Sequence, residues 1–191
     1  MRDLWKNAGL ANATFNRRLS VLSSVFRVAA KEWGMPGLIN PVAEVEKPQV
    51  RDERDRRVSD AEQQEIGKAS ESPLLPHFLV LAVETAMRRG ELCRLRWEDI
   101  DLKSRVAHLS TKVTKNGYAR DVPLSSRAIA TLKSLQRSAD GRVFEMRPDS
   151  VTQAFDRAVK RARESYEKTC KESGGKLDLT VLKNLRLHDL R

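Results

Sequence analysis

A chain of 191 residues with 40% hydrophobic content has material for one ordinary core, or one core with a small appendage. Its 36 Lys and Arg against 26 Asp and Glu leave a formal charge of +10. Dispersed through the chain as it is, this charge favours nucleic acid over an acidic membrane as the polyanionic partner. Three features argue against secretion, disulfides and metal. No apolar run is long enough to span a bilayer, and MRDLWKNAGLANATF lacks the apolar core of a signal peptide. Cys93 and Cys170 are too few and too isolated for a disulfide framework or a zinc cluster. A cytoplasmic location with reduced thiols, no structural metal and no membrane partner is the expectation.

The first predicted element is a helix. Phe15, Leu19, Leu22, Phe26, Ala29 and Trp33 recur at steps of three and four, and Gly34 and Pro36 end the run. Arg17, Arg18, Arg27 and Lys31 lie mostly on the opposite face, where simple solvation and DNA contact are equally open. One such helix cannot bury its own stripe and must pack on something. From Asn40 to Arg57 the periodicity dissolves, with two prolines and mixed charge, which predicts an extended linker. Ser59 and Glu62 form a capping box that starts the next helix. HFLVLAVETAM then reads as a buried helix and GELCRLRWEDID as an amphipathic one.

Two strand-like pieces follow, Arg105 to Ser110 and Tyr118 to Val122, around a turn at Asn116-Gly117. Two more helices are predicted. One runs from Ser125 to about Leu135. The other runs from Ser150 to about Tyr166, begun by Asp149 or Ser150. Lys168 to Lys176 reads as a loop, and HDLR opens a further helix. The expected architecture is mainly α with one small antiparallel sheet. Residues 1–45 form a helical unit, 46–58 a linker and 59–191 the main domain.

Three segments carry chemistry. In TAMRRGELCRLRWEDID, Thr85 to Asp101, Arg88 sits near the core beside Glu91, where an arginine is costly unless it is paired or faces an anion. Position alone is equally consistent with an Arg88–Glu91 pair that merely ties two helices together. In TKVTKNGYARDVPL, Thr111 to Leu124, Lys115 precedes a hairpin turn that would present it to a partner. Lys112 lies three residues earlier and Arg120 on the return strand, and a solvated basic hairpin is the plain alternative. In LRLHDLR, His188 and Arg191 would share one helical face.

In this order the three segments resemble the catalytic domain of the tyrosine recombinase (phage integrase) family. The family's T-G-x-R-x-x-E-L-x-x-L-x-W-x-D-I-D box is matched from Thr85 to Asp101, with Ala86 in place of the usual glycine. Its T-K-x-x-x-x-R-x-V-P-L hairpin is matched from Thr114 to Leu124, and its L-R-x-H-D-L-R box from Leu185 to Arg191. TFNRRLSVLSSVFRVAAKEWG and the following NPV resemble the end of the family's helical core-binding domain.

The resemblance implies that Arg88 and Arg191 clamp the non-bridging oxygens of a phosphodiester and that Glu91 orients Arg88. Lys115 would protonate the leaving 5′ oxygen, and His188 would assist proton transfer or hold the phosphate. Arg17, Arg18, Lys112 and Arg120 are expected DNA contacts. No metal or other cofactor is required, because the arginines supply the positive charge. Double-stranded DNA at a recombination site and further recombinase protomers are the implied partners. The family continues past H-D-L-R to a His or Trp box and a nucleophilic tyrosine. Tyr118 and Tyr166 both precede that point and match neither, so no nucleophile is assigned. The chain is then expected to be either part of an active integrase, inert alone, or a DNA-binding remnant that occupies sites without cutting. Arg88 is expected at the mouth of a basic pocket shared with Lys115.

Overall fold

The computed structural model describes residues 9–50, 55–114 and 117–190. The chain divides into two compact units, Met1–Asp55 and Arg56–Arg191, a division that falls inside the segment expected as linker.

In the first unit, helix α1 spans Asn12–Glu32. Phe15 and Leu19 are buried, with Leu22 and Phe26 packed beside them, so the predicted stripe does face a core. Its cover comes from the segment that looked like linker. Val42 is buried against Phe15 and Leu19, and Val45 packs beside them. The Asn12 and Asn16 side-chain amides donate to the Gln49 and Pro48 carbonyls, both at 2.9 Å, and Asn40 donates to Ser23 Oγ at 2.8 Å. The expectation of an extended linker from Asn40 is therefore corrected: an apolar stripe that would otherwise face water pulls the next available valines onto it. Trp33 leaves the stripe and is 60% exposed, because Gly34 in the left-handed region ends the helix beside it.

The second unit starts with helix α2, Asp60–Lys68, closed by the predicted capping box. Glu62 N–H donates to Ser59 Oγ at 3.2 Å, and Ser59 N–H donates to Glu62 Oε2 at 3.1 Å. Helix α3, Leu75–Thr85, is apolar nearly all round and buries Phe78, Leu79 and Leu81, with Phe78 edge-on to Phe144 at 5.1 Å. Helix α4 is short, Arg89–Arg94, and a 3₁₀ turn at Trp97–Asp99 leads into a three-stranded antiparallel sheet. Its strands are β1, Ile100–Asp101, β2, Val106–Leu109, and β3, Arg120–Pro123, in the order β1-β2-β3, with Leu109 opposite Arg120. β1 was not expected, since two residues carry no readable alternation. Helix α5, Ser126–Ser134, lies where expected, with Ser125 as its N-cap rather than its first helical residue.

Helix α6, Pro148–Glu172, is longer at both ends than expected. Its N-cap is Arg147, not Asp149 or Ser150, because Pro148 has no N–H to lose and a pre-set φ suited to the first helical position. Its last turns run through the expected loop at Lys168, supported by i,i+4 pairs such as Lys168–Glu172 at 3.8 Å, and end before Gly174. His188 lies in a 3₁₀ turn, Leu187–Leu190, rather than in an α-helix.

The segment before that turn is returned to the body of the unit by Glu62, which is only 6% exposed. Its carboxylate accepts the Leu182 N–H at 2.8 Å and pairs with Arg56, while Val58 N–H donates to the Asp189 carbonyl at 3.1 Å. Burial pushes the Glu62 carboxyl up, but the hydrogen bonds from Arg56, Leu182 and Ser59 outweigh it and leave it below the usual carboxylate range. Among the described residues no helix is long and apolar enough to cross a membrane.

The sharp exit from α3 runs through Ala86, which caps the helix in the left-handed conformation at φ 48°. A residue with a Cβ costs about 1 kcal/mol there, and glycine does not. Ala86→Gly should therefore stabilise this unit by about 1 kcal/mol and raise its thermal midpoint by roughly 2–4 °C. Calorimetry checks this, and an unchanged or lowered midpoint contradicts it.

Candidate functional site

The turn at Ala86 brings Met87 into the core and leaves Arg88 extended at the start of α4. One turn later Glu91 is 1% exposed. Three donors converge on its carboxylate. The Arg88 N–H reaches Oε2 at 2.8 Å, Arg88 Nη1 reaches Oε1 at 3.0 Å, and Arg120 Nη2 from β3 reaches Oε2 at 2.8 Å. Burial raises the affinity of this carboxyl for a proton. The hydrogen bonds from the Arg88 backbone and side chain, with the Arg120 and Arg88 charges, more than reverse that and hold it below the ordinary value. Arg88 is thus fixed from behind at both backbone and guanidinium. About a third of its side chain stays exposed, free to meet an anion.

The exposed part of Arg88 looks into a cleft of about 580 Å³ that also takes in Arg89, Arg186, His188, Thr152 and Asp156, over an apolar floor of Phe78, Ala82 and Met87. Arg88 and His188, predicted from motifs about a hundred residues apart, therefore line one cleft. Asp189, beside His188, is buried, and its carboxylate accepts the Arg186 N–H at 2.8 Å, which fixes the turn that presents His188.

Two predicted residues, Lys115 and Arg191, and with them the expected pocket shared by Arg88 and Lys115, lie outside the described residues. Lys112 is exposed in the turns after β2 and does not line the cleft. Arg17 and Arg18 are exposed on α1 in the other unit. Arg120, expected as a DNA contact, donates to Glu91 from β3. Sequence could not show this, because the two residues are joined only when β3 packs beside α4. Tyr118 is 79% exposed, and Tyr166 accepts the Asp178 N–H at 3.2 Å in a separate groove between α2, α6 and residues 180–182. Neither lines the cleft. Burial pushes the Cys93 thiol up to about 11 despite nearby arginines, so it is a poor nucleophile at neutral pH. Among the described residues no group of three His, Cys, Asp or Glu is placed to hold a metal ion. Chemically, the cleft presents the fork-shaped donors of Arg88, Arg89 and Arg186, a geometry that matches an anion.

Residues 57–191 match the model of the phage integrase family. The chain belongs to that family, the tyrosine recombinases. This integrase-family chain is 38% identical over 180 residues to a shufflon-specific DNA recombinase of Escherichia coli, covering 93% of this chain and 41% of that protein. It is 30% identical to a putative integrase/recombinase of Haemophilus influenzae, covering 78% and 52% of the two. The chain spans about half the length of the curated relatives it matches, or less. Among solved structures, a lambda integrase tetramer bound to a Holliday junction superposes with a TM-score of 0.66 at 23% identity, covering 98% of this chain and 54% of that one. The Tn1549 transposon integrase in complex with a circular intermediate DNA gives 0.64 at 18%, covering 97% and 66%. These likenesses bear out the expected fold, a mainly helical recombinase catalytic domain with a small antiparallel sheet.

In this recombinase-family site the Glu91 cluster makes a clear stability prediction. Removing one arginine leaves the buried carboxylate a counter-ion, and removing both leaves none, which costs about 3–5 kcal/mol. Arg88→Ala and Arg120→Ala together should then destabilise by more than the sum of the single changes, as read by denaturant unfolding. The carboxyl's depressed value means that its contribution is present above the ordinary value of 4.5 and is lost as pH falls through the folded one. The penalty of the double variant should therefore shrink on acidification. Strict additivity, or a penalty that grows towards low pH, contradicts this.

Proposed function

We propose that the cleft between Arg88 and His188 seats one phosphodiester of double-stranded DNA. It is the phosphate grip of a site that, in the complete protein, breaks and rejoins DNA through a 3′-phosphotyrosyl intermediate. The observation that carries this reading is the convergence of Arg88, held from behind by Glu91, with His188 on one open cleft. The likeness to a shufflon-specific DNA recombinase supports it.

A phosphodiester gains negative charge on the way to its five-coordinate transition state, and planar guanidiniums match its non-bridging oxygens where lysine cannot. Arg88 and Arg191 take this role. Lys115 delivers the proton to the leaving 5′ oxygen, and His188 holds the phosphate or passes a proton. Arg17, Arg18 and Lys112 contact the DNA backbone. Arg120 contributes through Glu91, as a positioning residue. The tyrosine comes from a segment other than those carrying Tyr118 and Tyr166, and the complete recombinase works with further protomers on the same DNA. The grip and the covalent catalyst are then separable, and these 191 residues bind without cutting.

The test is duplex binding by the 191-residue chain as a function of salt. Log K should fall with log salt by roughly 0.9 per phosphate contacted. Arg88→Ala should weaken binding about tenfold, the worth of one charge-assisted hydrogen bond, while Arg137→Ala, whose guanidinium lies over Trp97 at 5.1 Å, should change it little. A nicked suicide duplex should give no covalent adduct on a denaturing gel. A flat salt response or equal losses for the two variants overturns the phosphate grip, and an adduct mapped to Tyr118 or Tyr166 overturns the separation of grip from nucleophile.

A further inference from the structure

The cleft holds more positive charge than one phosphate needs. Its volume of about 580 Å³ equals that of about 20 water molecules at roughly 30 Å³ each, several times what a single phosphate group displaces. Besides Arg88 it is lined by two further arginines that have no part in the roles assigned above, Arg89 and Arg186, the second of them a motif position, against a single carboxylate, Asp156.

The two are held differently. Arg89 donates to the Thr152 hydroxyl on α6 and stands 3.9 Å from the exposed Asp149 carboxylate, so its guanidinium is steered along α6 but only loosely compensated. Arg186 is fixed at its backbone by Asp189, at 2.8 Å. Its guanidinium has no hydrogen-bond or carboxylate partner among the described residues. A guanidinium with five donors, anchored at its backbone and unpaired in a cationic cleft, is arranged for a ligand rather than for the fold.

We propose that Arg186 and Arg89 form a second phosphate subsite adjoining the Arg88–His188 seat, which grips the next phosphodiester along the same DNA strand. This rests on the reading of the cleft as a phosphate seat. The subsite acts in register: a second phosphate held beside the reacting one limits how far the strand can slide, so the strand is aligned before any bond is broken. Asp156 marks the edge of the subsite, because a carboxylate there repels any phosphate displaced towards α6.

Two small probes separate the subsites: thymidine 3′-monophosphate, and thymidine 3′,5′-bisphosphate, whose two phosphates lie on one nucleoside. Isothermal titration of the 191-residue chain at low salt should show the bisphosphate binding about tenfold tighter, one further charge-assisted contact. Arg186→Gln should reduce that advantage to less than about threefold while weakening the monophosphate by a smaller factor than the bisphosphate. Arg89→Gln should reduce it in the same direction, and Asp156→Asn should raise it. Arg88→Ala should weaken both probes together. Far-ultraviolet circular dichroism and the thermal midpoint confirm that each variant is folded. A bisphosphate advantage that is absent from the unsubstituted chain, or that survives Arg186→Gln, overturns the second subsite and leaves the first standing. If neither probe binds, or if Arg88→Ala changes nothing, the phosphate seat itself fails and the subsite fails with it.

Discussion

A carboxylate that is 1% exposed cannot stand alone, and the arrangement around Glu91 follows from that constraint. A buried charge survives only where opposite charge and hydrogen bonds replace the water it has lost. Here the replacement comes from two directions: Arg88 on the same short helix, and Arg120 on a strand that is remote in sequence. Satisfying Glu91 therefore does two things together. It fixes Arg88 in one orientation, and it ties the edge of the β-sheet to the junction between α3 and α4. A second link has the same effect, since Arg94 donates to the Val113 carbonyl at 2.8 Å. The cost of ordering the long Arg88 side chain is met in folding, so less remains when an anion arrives.

Glu62 has the corresponding part at the other wall. It caps its own helix, accepts a backbone N–H from Leu182 and pairs with Arg56, so the segment leading to His188 is held against α2. Asp189 continues the pattern by closing the turn through the Arg186 N–H. Buried carboxylates thus position a cleft whose exposed surface is cationic. The buried acids lie behind and the arginines in front, with Glu62 compensated by Arg56 and Glu91 by Arg88 and Arg120.

The motifs were legible in sequence because their signals are local. The Ser59–Glu62 capping box, the apolar run of α3 and the Arg88–Glu91 spacing each depend on residues a few positions apart, and each appears where expected. The strand pair was readable for the same reason, from alternation on either side of a turn, whereas β1 was not, because Ile100 and Asp101 are recognisable as a strand only by their pairing with Ala107 and Val106. The start of α6 was missed where Pro148 overrode the usual preference for Asp or Ser as a cap.

What the sequence by itself determined was the family pattern, the helical character and the pairing of Arg88 with Glu91, since covalent order and local hydrogen bonding suffice for these. The tertiary structure alone decided that Arg120 belongs to Glu91, that Val42 covers α1, and that Arg89 and Arg186 share a cleft with Arg88 and His188. Each of these joins residues far apart in the chain. Such contacts are selected by the packing of whole elements and the need to satisfy buried charge, and neither leaves a periodic trace along the sequence.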